Sequence, residues 1–479
     1  MASCTAAAKS VFPPEIELCI LEWLIPPPHN TSKDRFARPS NFACVCKAWQ
    51  RIIEQSTFRH ISLRPEHIPI FSRLTSPASG RRGYVKHVLL EILALEDDDE
   101  ASHNYSATVF TRAVSTLWKV LSDWQHSHGL TVELGVFSSF ETRMHRLHSF
   151  LYTPVPEGDI GSIRTNPYTD YSSRFENPPT NQIFLSTWEW RKQCYLGSRS
   201  LEFRFGEHES LYSARVITRL LIRRRYFRNI GPKALCYIFR ASPCLEAIHL
   251  ERWCYGRARS DEEWDKDSSL IGLNLTSSLK QFSFYDEFNT MYHQQGRMRI
   301  PRSNKRLLKS LAENTGGNQL EHLSISFVFD AQDFFSPRYS HNWASLTTLA
   351  LTSNLVLTCS SEVVNELLVK VAEVAKHMPR LEMLEIWNCK VREKVAGIFR
   401  YEKSDRTGNI VWQGTWELYM SRQVQRAWQE VFIGSDGGYY ELGVEVMSLE
   451  PEGLVNLGSI YPYLKLRKHV LDGISWTQV

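Results

Sequence analysis

An α/β solenoid on a parallel sheet, entered through a small helical segment, is the fold class this sequence predicts, and three observations predict it. The first is a recurring hexapeptide. Leu245-Glu246-Ala247-Ile248-His249-Leu250, Leu320-Glu321-His322-Leu323-Ser324-Ile325 and Leu381-Glu382-Met383-Leu384-Glu385-Ile386 share apolar residues at offsets 0, 3 and 5 and glutamate at offset 1. The second is that Leu279, Phe282 and Phe284, then Leu346, Leu349 and Leu351, and much earlier Val85, Val88 and Leu90, repeat the apolar offsets alone. The third is what stands before the copies: a helical pattern ended by a breaker, at 232–239 before Pro243, at 305–311 before Gly316-Gly317, and at 363–377 before Pro379. Each unit reads as helix, breaker, strand. A strand with one apolar row buries it against the helix behind, and stacked units close a core that one unit alone cannot.

From the N-terminus, Phe12-Pro13-Pro14-Glu15-Ile16 opens a first segment in which Ile16, Ile20, Leu21 and Leu24 share one helix face, with prolines at its start and Pro26 to Pro28 stopping it. A second helix is predicted after Ser40-Asn41, either of which can cap it, burying Val45, Trp49, Ile52 and Ile53 while Lys47, Gln50 and Arg51 face water. Two such helices enclose little core, which leaves apolar surface for a partner. The order Pro-x-Glu-Ile, Ile-Leu-x-x-Leu and Val-Cys-Lys-x-Trp, followed by Phe58 and Leu63, resembles an F-box over residues 10–65. It departs in having Phe12 for the usual leading leucine and a long Pro-rich gap at 26–39. The resemblance implies docking on a Skp adaptor, and through it a cullin–RING ligase. The adaptor-binding residues would then be Phe12, Pro13, Ile16, Ile20, Leu21, Leu24, Val45, Cys46 and Trp49.

The repeats beyond it resemble leucine-rich repeats over 80–390. Their starts at Leu245, Leu279, Leu320, Leu346 and Leu381 are irregularly spaced, and Asn388 and Cys389 match the trailing asparagine only loosely. In that register offsets 2, 4, 6 and 7 project from the sheet face opposite the helices. The row is mixed, small and aromatic with few cations, which suits protein contact around Tyr285, Phe327 and Trp387 as target-binding anchors. Between Val85 and Leu245 the pattern blurs. Leu130 to Leu134 and Leu201 to Phe205 alternate like degenerate copies, and the Pro-rich stretch 153–182 reads as a loop insertion. After Asn388 a hairpin is predicted around Asp405-Arg406-Thr407-Gly408, then a helix capped by Ser421, so that 391–479 forms a closing segment over the last repeat. The whole layout is similar to that of fungal F-box proteins.

Composition narrows the function classes. The 479 residues are 43% hydrophobic and 12% aromatic, ample for a large core, and 56 basic against 52 acidic side chains leave a formal charge of +4, which argues against a dedicated nucleic-acid surface. The ten scattered cysteines read as reduced thiols of a cytoplasmic or nuclear protein, and no apolar run is long enough to span a membrane. Cys44-x-Cys46 lacks a second ligand pair and reads as packing, and His145-x-x-His148 lacks a carboxylate or thiolate partner. Gly434-Ser435-Asp436-Gly437-Gly438 lacks the Lys-Ser/Thr of a phosphate loop, and the cluster Arg223-Arg224-Arg225 reads as a charged helix face. No cofactor, metal or catalytic group is expected. With the F-box resemblance, the expectation is a non-catalytic substrate-recognition subunit of an SCF-type ubiquitin ligase. A solenoid scaffold that does not direct ubiquitination is the alternative, and a nucleic-acid binder using Arg223 to Arg225 a more distant one.

Overall fold

The computed structural model describes residues 19–20, 43–95, 100–124, 129–138, 197, 199–206, 209–224, 226–254, 258–287, 303–315, 319–336, 343–404, 407–433, 441–473 and 475. Among them the strands form one open sheet of 12, ordered in space as along the chain. They are β1 (His60–Leu63), β2 (His87–Ala94), β3 (Leu130–Ser138), β4 (Ile217–Ile222), β5 (Ala247–Trp253), β6 (Gln281–Glu287), β7 (His322–Ser326), β8 (Thr348–Thr352), β9 (Met383–Lys390), β10 (Val395–Lys403), β11 (Thr407–Gly414) and β12 (Glu441–Ser448). The helices are α1 (Lys47–Thr57), α2 (Ile68–Leu74), α3 (Glu100–Ser122), α4 (Pro232–Arg240), α5 (Ala258–Leu273), α6 (Lys305–Thr315), α7 (Ala331–Phe334), α8 (Ser361–Ala375), α9 (Arg422–Ile433) and α10 (Arg467–Val470). The fold is mixed α/β, and its sheet is parallel except where β9, β10 and β11 run antiparallel.

The sequence register of the repeats is the strand register. Offset 2 pairs with offset 2 throughout: Ala247 with Gln281, Gln281 with His322, His322 with Thr348 and Thr348 with Met383. The ladder starts one residue before each strand. The Glu246 carbonyl accepts the N–H groups of Lys280 and Gln281 at 2.8 and 3.0 Å, and the Lys280 carbonyl takes those of Glu321 and His322 in the same way. Every leucine or phenylalanine at offsets 0, 3 and 5 of these five units is buried, on the side where α3 to α9 lie. Asn388, the loosely matched asparagine, is buried and ties its strand to the preceding unit by donating from Nδ2 to the Ser353 carbonyl at 3.1 Å.

The predicted hairpin is β10–β11, and the Ser421 hydroxyl accepts the Val424 N–H at 3.3 Å at the start of α9. Through α9 the chain crosses to β12, parallel to β11. One sheet thus runs from β1, inside residues 10–65, to β12, inside residues 391–479.

Elsewhere the structure differs from the sequence reading. Leu201 makes only an isolated bridge with Ile230, and the strand of that region is β4, which sequence reading missed. The 23-residue helix α3 was also unforeseen; Phe110, Val114, Leu117, Trp118 and Leu121 form its buried stripe. The insertion 153–182, His145, His148, Arg225 and Gly434 to Gly438 lie outside the described residues.

Candidate functional site: the sheet face opposite the helices

The row expected to face solvent is buried. Tyr285 and Trp387 are 0% exposed and Phe327 is half-buried, because residues 449–475 return across this distal face. A second core lies between them. Tyr285, Ala350, Trp387, Cys389, Ala396 and Ile398 of the sheet pack on Leu449, Leu454, Ile460, Tyr461, Leu464, Leu466, Val470 and Leu471. The assignment of Tyr285, Phe327 and Trp387 as freely presented target anchors is therefore corrected to internal packing. Their rings form a ladder: Phe327 sits edge-on to Tyr285 and to Trp387, each at 5.4 Å between centroids, and Trp387 meets Tyr461 at 5.7 Å. The hydroxyls of Tyr285 and Tyr461 share a hydrogen bond of 2.7 Å. Phe327 reaches its place by leaving β7 in the left-handed region, at φ 64°, a conformation that costs a bulky residue about 1–3 kcal/mol and persists only where surrounding contacts hold it.

Two buried carboxylates of the sheet hold the covering segment by its main chain. Glu385 on β9, 0% exposed, accepts the N–H of Lys465 at 3.0 Å through Oε1 and that of Leu466 at 2.9 Å through Oε2. Its charge is balanced by Arg400 on β10, whose Nε donates to Oε1 at 2.7 Å and whose Nη2 donates to the Tyr463 carbonyl. Glu251 on β5 accepts the Asp472 N–H at 2.8 Å and the Ser475 hydroxyl at 2.5 Å. Burial pushes the Glu251 carboxyl up. The hydrogen bond and charge of His249, with the Ser475 hydroxyl and the Arg224 N–H, outweigh it and leave the group below the usual carboxylate range.

The arginine cluster lies at the same end and is neither a helix face nor a basic patch. Arg223 and Arg224 follow β4 and are buried. Arg223 is paired with Glu133, Nε to Oε1 at 2.8 Å, and with Asp472 at 3.2 Å, so its charge ties β3 to the returning segment. Arg224 lies over the Trp253 ring at 4.4 Å.

A histidine pair joins α10 to β7. The rings of His322 and His469 stack at 4.8 Å. Burial, and then the charges of His322, His249 and Arg219, push His469 down to about 4. Burial also lowers His322, against the opposing pull of Glu321 and Glu382. A released His469 titrates near 6.5. The docked segment therefore binds fewer protons than the released one between pH 6.5 and about 4; docking is intact above 6.5 and weakens as pH falls through that window. With the ring partly open to solvent, the loss is about 2 kcal/mol. Hydrogen exchange of residues 465–471, corrected for intrinsic rates, should accelerate below pH 6.5, and His469→Phe should reduce that dependence, leaving the smaller part due to His322. An unchanged pH profile in the variant would refute the linkage.

Of the residues matched to an adaptor-docking surface, Phe12, Pro13, Ile16, Leu21 and Leu24 lie outside the described residues. Ile20 is helical and half-buried. The second helix begins at Lys47, later than expected, and Val45 is 63% exposed ahead of it instead of packing on its inner side. Cys46 is its N-cap: it is exposed, and its sulfur accepts the Trp49 N–H at 3.4 Å, in place of the packing role expected of the Cys44-x-Cys46 pair. Trp49 is half-buried and Ile53 fully buried. Glu54 fixes the other side of α1 by accepting from Arg81, Nε at 3.0 Å and Nη2 at 2.6 Å.

Among the described residues no group of three or more His, Cys, Asp or Glu side chains is placed to hold a metal ion, and no helix is long and apolar enough to cross a membrane. No curated protein matches the chain. Residues 274–472 match the model of a family of unknown function (DUF6546), a stretch that starts just after α5, takes in β6 to β12, and ends in the covering segment at Asp472.

Proposed function

We propose that the chain is a non-catalytic substrate-recognition subunit of an SCF-type ubiquitin ligase, whose N-terminal helices dock a Skp adaptor and whose α/β body carries the target. The observation that supports this reading best is the two-sided character of α1. Ile53 and the Glu54–Arg81 pair attach it to the body, whereas Val45, Cys46 and part of Trp49, in the Val-Cys-Lys-x-Trp stretch similar to an F-box, stay open to solvent. A docking helix fixed to a rigid sheet holds a bound target at a set distance from an adaptor-borne ligase, and proximity is all such a subunit supplies. Target contact falls to surfaces other than the buried aromatic row.

The test is co-purification of the adaptor with Ile16→Asp/Trp49→Ala. An unpaired carboxylate in the apolar interface costs several kcal/mol, so adaptor, cullin and ubiquitin conjugates should all disappear while the circular dichroism of the body is kept. Adaptor retained by the folded double variant would sink the assignment. Adaptor lost but conjugates unchanged in the parent chain's target would favour the scaffold that does not direct ubiquitination.

A further inference from the structure

We propose that the distal sheet face is a peptide-binding groove, that residues 449–475 are its ligand in cis, and that a partner segment with leucines flanking a basic residue displaces them. The inference concerns the body alone and stands whether or not the N-terminal helices dock an adaptor.

Three features of the contact carry it. Four of the polar ties go to main-chain groups: Glu385 to two consecutive N–H groups, Glu251 to a third, and Arg400 to a carbonyl. Any polypeptide carries those groups, so this part of the tether recognises a chain conformation and not one sequence. The side-chain ties add sequence preference: the Tyr285–Tyr461 hydroxyl bond, the Arg223–Asp472 pair and the apolar side chains of the second core. Leu464 and Leu466 enter the apolar floor, and Lys465 between them turns outward to Glu402, Nζ to Oε2 at 2.6 Å. That spacing defines the centre of the ligand: two leucines inward, a cation outward, and two N–H groups over Glu385. Finally, the segment adds no strand to the sheet. It consists of short 3-10 turns at Pro451–Gly453 and Leu457–Tyr463 and the single helical turn α10, so its order comes from contact with the face and little from its own secondary structure. Of its basic residues, Lys465 pairs with an acidic group of the sheet, Glu402 on β10. Bound in cis it outcompetes a free peptide through its high effective concentration, and a partner gains entry when docking is weakened.

The experiment uses the full chain and a fluorescent synthetic peptide of residues 456–473. Against the parent chain the peptide should bind at least about tenfold more weakly than against Leu464→Ser/Leu466→Ser, in which the cis segment has lost its two anchors. Adding Glu385→Gln to that variant should reduce peptide binding again, and a peptide with both leucines replaced by serine should not bind. As a check without substitution, excess peptide should accelerate hydrogen exchange at Lys465 and Leu466 of the parent chain. The proposal is overturned if the double variant releases the segment, keeps protection in β5 to β9, and yet binds no peptide. It is equally overturned if the segment stays protected in the double variant, or if protection is lost throughout the sheet, since either result would make 449–475 an inseparable part of the core.

Discussion

Replacing Glu385 by alanine is expected to cost about 3–5 kcal/mol of stability, among the largest effects of any single polar substitution in the chain. Three ties meet at this one carboxylate: the N–H groups of Lys465 and Leu466, and the Arg400 guanidinium, itself shared with Glu402 at 3.4 Å. Removing it leaves Arg400 buried with its closest counter-charge gone and two main-chain donors without an acceptor, and the cost of such orphaned groups exceeds the worth of the bonds themselves. Glu385→Gln keeps one acceptor oxygen, enough for one of the two N–H groups, and should lose less. Urea denaturation gives the magnitude, and exchange at Lys465 and Leu466 gives the location. A loss below about 0.5 kcal/mol, the value typical of an exposed residue, would mean that residues 449–475 do not cover β9 in solution.

That contrast marks the line between what sequence makes legible and what it does not. The helix-facing side of the sheet was legible because its signal is local. Leu323 and Ile325, or Leu384 and Ile386, alternate inside one strand, a breaker stands just before each, and the same offsets recur in the next unit. Parallel pairing then aligns like offset with like. The opposite row carries no such mark. Ser283, Ser324, Ala350 and Thr352 suit either water or a close-packed covering chain, and what decides between them lies far away: Glu385 is tied to Leu466, 81 residues on, and Glu251 to Ser475, 224 residues on. Ties to main-chain N–H groups leave no trace in the identity of the donors. The same distance hid the role of Arg223, whose partner Glu133 precedes it by 90 residues, so that a buried ion pair looked like a surface cluster. One signal was present and readable. Ile460, Tyr461, Leu464, Leu466, Val470 and Leu471 are too apolar for a solvated tail and fit neither a helical nor a strand period, the pattern of a segment that must lie on something. The missed helix α3 is a different case, since Phe110, Val114, Leu117 and Leu121 keep the helical spacing.

Trp387→Ala distinguishes the two roles this row can have. As the exposed anchor that its place in the repeat suggests, Trp387 would leave stability nearly untouched when truncated and act only on a partner. As found, it is 0% exposed between Phe327 and Tyr461, in the core that joins the sheet to the covering segment. Its loss removes apolar contact on the sheet and on the segment at once and opens a cavity that neither side fills, because β9 is held by β8 and β10 on its two flanks. The expected cost is about 3–5 kcal/mol. Trp387→Phe retains a ring for the edge-on contacts and should recover more than half of it. Phe327 supplies an internal control: its left-handed backbone is held partly by the ring contacts with Trp387, so in Trp387→Ala the residues around 327 should gain exchange along with those of 457–466, while the helix-facing strands near β2 keep theirs. A chain that unfolds at the parent's urea midpoint with alanine at 387 would return this row to solvent, and with it the aromatic surface to a partner.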